Sequence, residues 1–341
     1  MKVILRADSG REQGTGHVMR MLTLAEALRS RNHEVLLASS EVSIPWLRNR
    51  IAAQNLPIHT TAPDSLDADD LHRLGADVLV FDGYRFLPDS TAQAQDRFTA
   101  TLAVIDGDAL GYHATLYLDQ NPGADTHSTL QQAGRLAGPR FALIRSEILE
   151  QRHHTNEFDV AKAEDSPVSL LAVFGGSDPF GAARVVFEVL ARSESSFAAT
   201  VIDASIGGPF VPSTPDPRIS VHGPIMDLAR AMGSCTIAIS AAGTTALDLL
   251  ACGVPTAIIE VAHNQAGGYR AMAEQRLAYP LGALWEIKAD VAGAAAKLDS
   301  FLQDADRQRA QSLRGLKLVD GRGAQRVAAA LEQAVAGAAA P

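Results

Sequence analysis

A chain of 341 residues is about twice the usual length of one domain, so two domains are expected. Apolar residues make up 47 % and charged residues 20 %, a balance that supports buried cores and excludes a disordered chain. The formal net charge is −9 and no basic stripe is present, which argues against nucleic acid as a partner.

Two cysteines, Cys235 and Cys252, lie in apolar segments without CxxC spacing and read as buried thiols in a reducing compartment. The opening Met1–Arg6 has too short an apolar run for a signal peptide, and no stretch approaches the ~18 apolar residues of a membrane span. The expectation is a soluble cytoplasmic protein.

Along the chain, short β-branched runs alternate with amphipathic helical stretches, the pattern of parallel sheets covered by helices. Val3-Ile4-Leu5 reads as the first strand. A helix follows, with Val18, Met21, Leu22, Ala25 and Leu28 at three- and four-residue steps. Glu34–Ala38, Val78–Phe81, Leu102–Ile105 and Thr115–Leu118 complete a first set of strands. A polar stretch from Glu147 to Pro167 reads as an interdomain linker, with the first domain at 1–150 and the linker proper at 151–167. A second set follows in a domain spanning 168–341: Val168–Phe174, Ala199–Ile202, Arg218–Val221, Thr236–Ile239 and Thr256–Ile259. Beyond Ile287 the chain is Ala-rich and helical, and Arg322–Leu331 reads as the last helix. Each half opens as strand, glycine-rich loop, helix, which suggests two similar α/β domains facing each other.

In open α/β sheets ligands bind beyond the carboxyl ends of the strands, and polar clusters recur there. Asp8 to His17, Asp82–Arg85 and Asp106–Asp108 follow strands of the first half. Gly175–Asp178, Ser240–Thr245 and His263–Gln265 follow strands of the second.

The loop Gly14-Thr15-Gly16-His17 opens directly into a helix, where glycines admit a ligand to the backbone and free amides favour an anion. It lacks the Lys-Ser/Thr of a Walker loop and the spacing of a dinucleotide fingerprint. His17 is either a packed loop residue or a general base kept neutral by the positive helix end; its place in a glycine loop favours the base. Gly243, Thr244 and Thr245, ahead of a helix closed by Gly253, suit a diphosphate without a metal. Asp248, one turn in, is either a dipole partner or an acceptor for ribose hydroxyls. The remaining histidines show no metal-ligand spacing, and no GxSxG elbow is present.

Arg6-Ala7-Asp8, Gly14–Arg20 and Leu22–Ala25 closely resemble the UDP-sugar hydrolase of pseudaminic acid biosynthesis. The resemblance runs nearly end to end, through Asp119-Gln120-Asn121, Gly138–Leu143, Phe174–Pro179, Asn264-Gln265 and Asp320–Ala324. Ile225–Leu228 and Ser240–Leu250 also resemble the wider superfamily of the lipid-linked N-acetylglucosaminyltransferase of peptidoglycan.

These resemblances imply an α/β protein of the GT-B fold, two doubly wound Rossmann-like domains facing a cleft. They imply a metal-independent enzyme that breaks the anomeric C–O bond of a UDP-sugar, without a cofactor. By the same carry-over His17 activates water, while Tyr84 and Asn264 line the sugar pocket as catalytic-site residues. Gly175, Ser177, Ile225, Met226, Gly243, Thr244, Thr245 and Asp248 hold UDP, and Asp8, Gly14, Gly16, Arg85 and Gln265 face the sugar or acceptor. The chain departs from the family in carrying Ala242-Gly243 for a Gly-Gly pair, Asp248 for a Glu, and Asp106-Gly107 for two Asp. The alternative is a glycosyltransferase that moves a sugar, including a uronic acid held by Arg85, to a small hydroxyl, amine or nucleobase acceptor. A non-catalytic UDP-sugar sensor is a third class.

Overall fold

The computed structural model describes residues 1–10, 14–40, 42–127, 134–155, 168–205 and 208–338. The chain divides into two compact units, Met1–Leu143 with Gly321–Pro341, and Ile144–Asp320.

The first unit holds seven parallel strands: β1 (Lys2–Ala7), β2 (Glu34–Ser39), β3 (Ile58–Thr60), β4 (Val78–Asp82), β5 (Ala100–Val104), β6 (Leu116–Asp119) and β7 (Arg135–Ala137). Their order is β3-β2-β1-β4-β5-β6-β7. In the register of the central strands Leu5 stands opposite Leu37 on one side and Val80 on the other. Side chains alternate across a strand, and both faces of this sheet are covered. Val3, Leu5 and Val80 pack with the helix Gly16–Ser30, while Ile4, Leu79 and Phe81 pack with Leu71, Phe86 and Phe98. Double coverage explains why these strands read as unbroken apolar runs rather than alternating ones.

The second unit repeats the plan with β8 (Val168–Val173), β9 (Phe197–Ile202), β10 (Ile219–His222), β11 (Ile237–Ala241), β12 (Thr256–Glu260) and β13 (Tyr279–Ala283). The order is β10-β9-β8-β11-β12-β13, again all parallel. Helices Ala182–Arg192 and Val291–Leu302 cover one face, burying Val186, Leu190, Leu298 and Phe301. Both sheets therefore carry the dinucleotide-fold order and reverse direction at one point, between β1 and β4 and between β8 and β11.

Three strands are absent from the sequence reading. β3 and β7 have three residues each, and β13 carries Pro280 and Gly282 with a register irregularity against β12. Each lies at a sheet edge, where short runs and Pro are tolerated.

The closing helix, Gly323–Ala338, packs in the first unit and not in the second, where the sequence reading put it. Val327, Ala328 and Leu331 are fully buried there against the core around the Gly16–Ser30 helix. Arg31 and His33 both bond Glu332, which fixes the helix from outside. An amphipathic pattern states that a helix covers a sheet without stating which sheet. Gly323 sets the entry: a Cβ there would lie 2.1 Å from the Ala142 carbonyl oxygen.

The expected linker divides in two. Ser146–Thr155 is helical and belongs to the second unit, with Arg152 Nη1 donating to the Ala251 carbonyl at 3.0 Å. Residues 156–167 lie outside the described residues. Cys235 and Cys252 are buried and free, and burial pushes both thiols up to about 12. Among the described residues no helix is long and apolar enough to cross a membrane.

Candidate functional site

The switch point of the first unit is filled by charge. His17 sits in the first turn of the helix after β1, and Asp82 is the last residue of β4, the neighbouring strand. His17 Nδ1 is 2.6 Å from Asp82 Oδ1. An ionised carboxylate only accepts, so the proton of this contact resides on Nδ1. The other ring nitrogen, Nε2, then carries the lone pair, and it has no hydrogen-bond partner among the described residues.

Arg20, one turn after His17 on the same helix face, braces the dyad. Its Nε and Nη2 donate to the two oxygens of Asp82, each at 2.8 Å, and its Nη1 donates to Asp106 Oδ1 at 3.1 Å. Asp106 follows β5 and also accepts from the Tyr84 hydroxyl and, at 2.9 Å, from Asn121 Nδ2. The Tyr84 ring meets the imidazole edge-on with centroids 4.8 Å apart. Burial pushes the Asp82 and Asp106 carboxyls up, but Arg20, together with His17 at Asp82 and with Tyr84 and Asn121 at Asp106, more than offsets it, and both are held below the usual carboxylate range. The loops after β1, β4, β5 and β6 thus converge on one ionised network around a free imidazole nitrogen.

Asp8, expected to face the sugar or acceptor, is held by donors of its own unit. Both its oxygens accept from the Arg6 guanidinium at 2.7 Å, and the amides of Ser40 and Asp64 add two further bonds. Although burial raises it, this donor shell lowers its carboxyl to about 2. Asp8 ties the loops after β1 and β2 to the following chain. Gly14 exchanges two backbone bonds with Gly10, closing the loop, and Gly16 begins the helix with no side-chain cap on its first-turn amides. Arg85 is exposed and pairs with Asp64 at 3.3 Å.

The second unit has two loops at its switch point, and they differ. After β8, Gly175 is exposed with φ +82° and Ser177 is buried. Asp178 accepts from the amides of Ala182 and Ala183, each at 2.9 Å, so the following helix already holds a carboxylate at its N-terminus. After β11, the helix Thr244–Cys252 has no side-chain cap and no acidic residue in its first turn. Gly243, Thr244 and Thr245 are half-buried around these open amides, and Gly253, at φ +71°, closes the helix. Of the two loops, only the second leaves the amides of its helix N-terminus without a carboxylate.

Gln265 comes beside this loop: its Nε2 lies 3.5 Å from where a Cβ of Gly243 would stand, and its Oε1 accepts from Val261 N. Asn264 is exposed in the same turn after β12, Met226 is 88 % exposed, and Ile225 is half-buried. Asp248 is 4 % exposed and accepts from Arg145 Nη2 at 2.7 Å. Its carboxylate is thus held by an arginine that the sequence reading did not single out. Arg20, Asp82, Asp106 and Asn121 stand in the sequence motifs but carry no role there. The signal for two of them was available: Arg20 stands three residues after His17, and Asp82 ends a strand.

No protein-family model and no curated protein matches the sequence. Solved structures do match along nearly the whole chain. MurG of Acinetobacter baumannii superposes with a TM-score of 0.68 at 14 % identity, over 97 % of this chain and 99 % of that one. The spinosyn forosaminyltransferase SpnP gives 0.69 at 14 % identity, over 98 % and 99 %. The spinosyn rhamnosyltransferase SpnG complexed with thymidine diphosphate gives 0.64 at 14 % identity, over 97 % and 100 %. At such identities the likeness is one of fold, and the fold of this chain is that of the GT-B glycosyltransferases: two Rossmann-like α/β units in one chain.

Proposed function

We propose that the chain transfers a sugar from UDP to a small acceptor, with His17 as the general base. The observation that carries this reading is a His17 Nε2 without a partner among the described residues, on an imidazole whose Nδ1 lies against Asp82. A base needs its lone pair aimed outward and its other nitrogen held by a group that stabilises the positive charge it acquires. In the step, an acceptor O–H or N–H gives its proton to Nε2, and the freed lone pair attacks the anomeric carbon. The C–O bond to the diphosphate breaks, and UDP leaves with the bonding electrons. One displacement inverts the anomeric configuration. The open amides of Thr244 and Thr245 would stabilise the departing diphosphate, and no metal or cofactor is required for the step.

Two features favour an organic acceptor over water. The fold is that of glycosyltransferases, and the chain exposes apolar Leu87 by 68 % after β4 and Leu110 by 39 % after β5. Hydrolysis of the UDP-sugar is the second reading. The run from Arg6 to Ala25 favours it through its resemblance to a UDP-sugar hydrolase.

UDP release is to be measured over a panel of UDP- and dTDP-sugars, with the protein alone and with pooled hydroxyl, amine and nucleobase acceptors. Release that needs an acceptor, with a product of summed mass, is expected. Release by the protein alone with free sugar in step would establish the hydrolase instead. Binding without turnover would remove both.

A further inference from the structure

We infer that the second unit carries a separate binding pocket for a small phosphorylated compound at the end of its sheet opposite the nucleotide loops. The pocket, about 510 Å³, lies where the chain turns into the amino end of β13. Gly243 to Thr245 and Asn264 follow the carboxyl ends of β11 and β12, so the two sites occupy opposite ends of parallel strands.

Three arginines line the pocket, Arg276, Arg307 and Arg314, with Asp306 as the one carboxylate. Among the described residues the Arg276 guanidinium has no partner, and Arg314 donates only to the Arg276 carbonyl, at 3.3 Å. Arg307 lies over the Tyr279 ring at 5.2 Å and pairs with Asp304. In a chain of net charge −9, two guanidiniums without a carboxylate partner beside one cavity form a local positive site.

A buried group points the same way. Gln311, 2 % exposed, also lines the cavity. Its Oε1 accepts from Thr256 N at 3.3 Å, and its amide NH₂ has no partner among the described residues. That NH₂ adds a further donor to the lining of the cavity. Two guanidinium forks and an amide NH₂ match the several oxygens of a phosphoryl group better than the two of a carboxylate. The walls of Ala273, Ala278, Ala310 and the Tyr279 ring leave room for an organic body attached to the phosphate.

The test is titration with inorganic phosphate, pyrophosphate and glucose 6-phosphate, with citrate as a carboxylate control, on full-length protein saturated with UDP to block the nucleotide loop. Binding is to be followed by calorimetry and ³¹P NMR. Arg276→Gly suits the backbone there, at φ +54°, and Arg314→Gln changes an exposed helix position, so thermal melting should confirm that both variants fold. Each should weaken a phosphate probe at least about 10-fold, the order of one charge-assisted hydrogen bond, with UDP affinity and sugar transfer unchanged. Citrate is expected to bind more weakly than pyrophosphate. No binding by any phosphate probe to the UDP-saturated protein would overturn the inference. So would binding that both variants retain.

Discussion

His17 and Asp82 come from different elements 65 residues apart and meet at 2.6 Å, where the strand order of the first sheet reverses. Asp82 Oδ1 takes the imidazole contact and one Arg20 donor, while Oδ2 takes the other Arg20 donor. The carboxylate is thereby locked in orientation as well as charge, and it passes that orientation to the ring. His17→Ala should lower turnover by at least about 10²-fold. Asp82→Asn should do the same with little change in the KM for the donor, because it removes a charge and a tautomer, not a substrate contact. Steady-state kinetics on both variants decides it, and a turnover near normal in Asp82→Asn would remove the dyad from the mechanism.

Arg20 is buried between two carboxylates and closes the charge balance of the site. Taking away one partner of a buried ion pair leaves uncompensated charge, at a cost of about 3–5 kcal/mol. Arg20→Met leaves Asp82 and Asp106 facing each other without a cation, and a loss of that size is expected in urea unfolding. Arg20→Lys keeps the charge but not the planar fork. It should recover part of the stability and little of the turnover, since one ammonium cannot reproduce the paired bonds that orient Asp82.

Much of this arrangement is legible in the sequence. Apolar runs alternating with helices require two parallel sheets, and polar clusters after successive strands mark the rim, because a doubly covered sheet leaves only its ends to carry polar groups. What was not legible was assembly across long separations. Asp82 and Asp106 read as two ends of two strands, and only the strand order brings both to Arg20. The closing helix reads as the end of the second domain, yet its buried Leu331 belongs to the core of the first. Asp8 and Asp248 read as ligand contacts, and each lies against an arginine, Arg6 and Arg145, whose approach no local pattern encodes.

The Arg6–Asp8 pair makes stability depend on acid in a defined direction. Asp8 is depressed to about 2 from an ordinary 3.8, so its contribution is complete above the unfolded value and is lost as pH falls through the folded one. A shift of that size corresponds to about 2 kcal/mol. Asp8→Asn should therefore be less stable than the parent at pH 7, since buried Arg6 loses its charged partner. The gap should narrow between about pH 4 and pH 2. Chemical unfolding at a series of pH values tests this, and a gap independent of pH would show that the carboxylate charge is not what holds Arg6.

Gly323 starts the closing helix where a side chain has no room. The atom that a Cβ would meet at 2.1 Å is a backbone oxygen, and the next nearest, at 2.5 and 2.6 Å, are backbone atoms of Phe141 and Ala142. None can swing aside as a side-chain tip could. Gly323→Ala should therefore displace the helix entry and destabilise the protein by about 1–3 kcal/mol, the usual cost of overpacking. Gly337→Ala, at the far end of the same helix, serves as control, for a Cβ there meets nothing within 4 Å. Urea midpoints that fall in the first variant and hold or rise in the second would match this account.

Asp178 and Thr244 stand at corresponding places in two strand–loop–helix units of one sheet, and their roles are opposite. Asp178 fills its own helix N-terminus, accepting from Ala182 and Ala183, whereas the amides behind Gly243 meet no side-chain oxygen. An anion that binds by helix amides needs the second arrangement and is repelled by the first. Asp178→Ala should lower stability by about 1 kcal/mol, the usual effect of losing a cap, and leave the Kd for UDP unchanged. Thr244→Val keeps the shape of the side chain and removes a hydroxyl donor, so it should raise that Kd about 10-fold, as expected for one hydrogen bond to a charged group. Calorimetry with UDP on the two variants separates the loops. If Asp178→Ala alters UDP affinity and Thr244→Val does not, the diphosphate sits after β8 and the assignment of the loops is reversed.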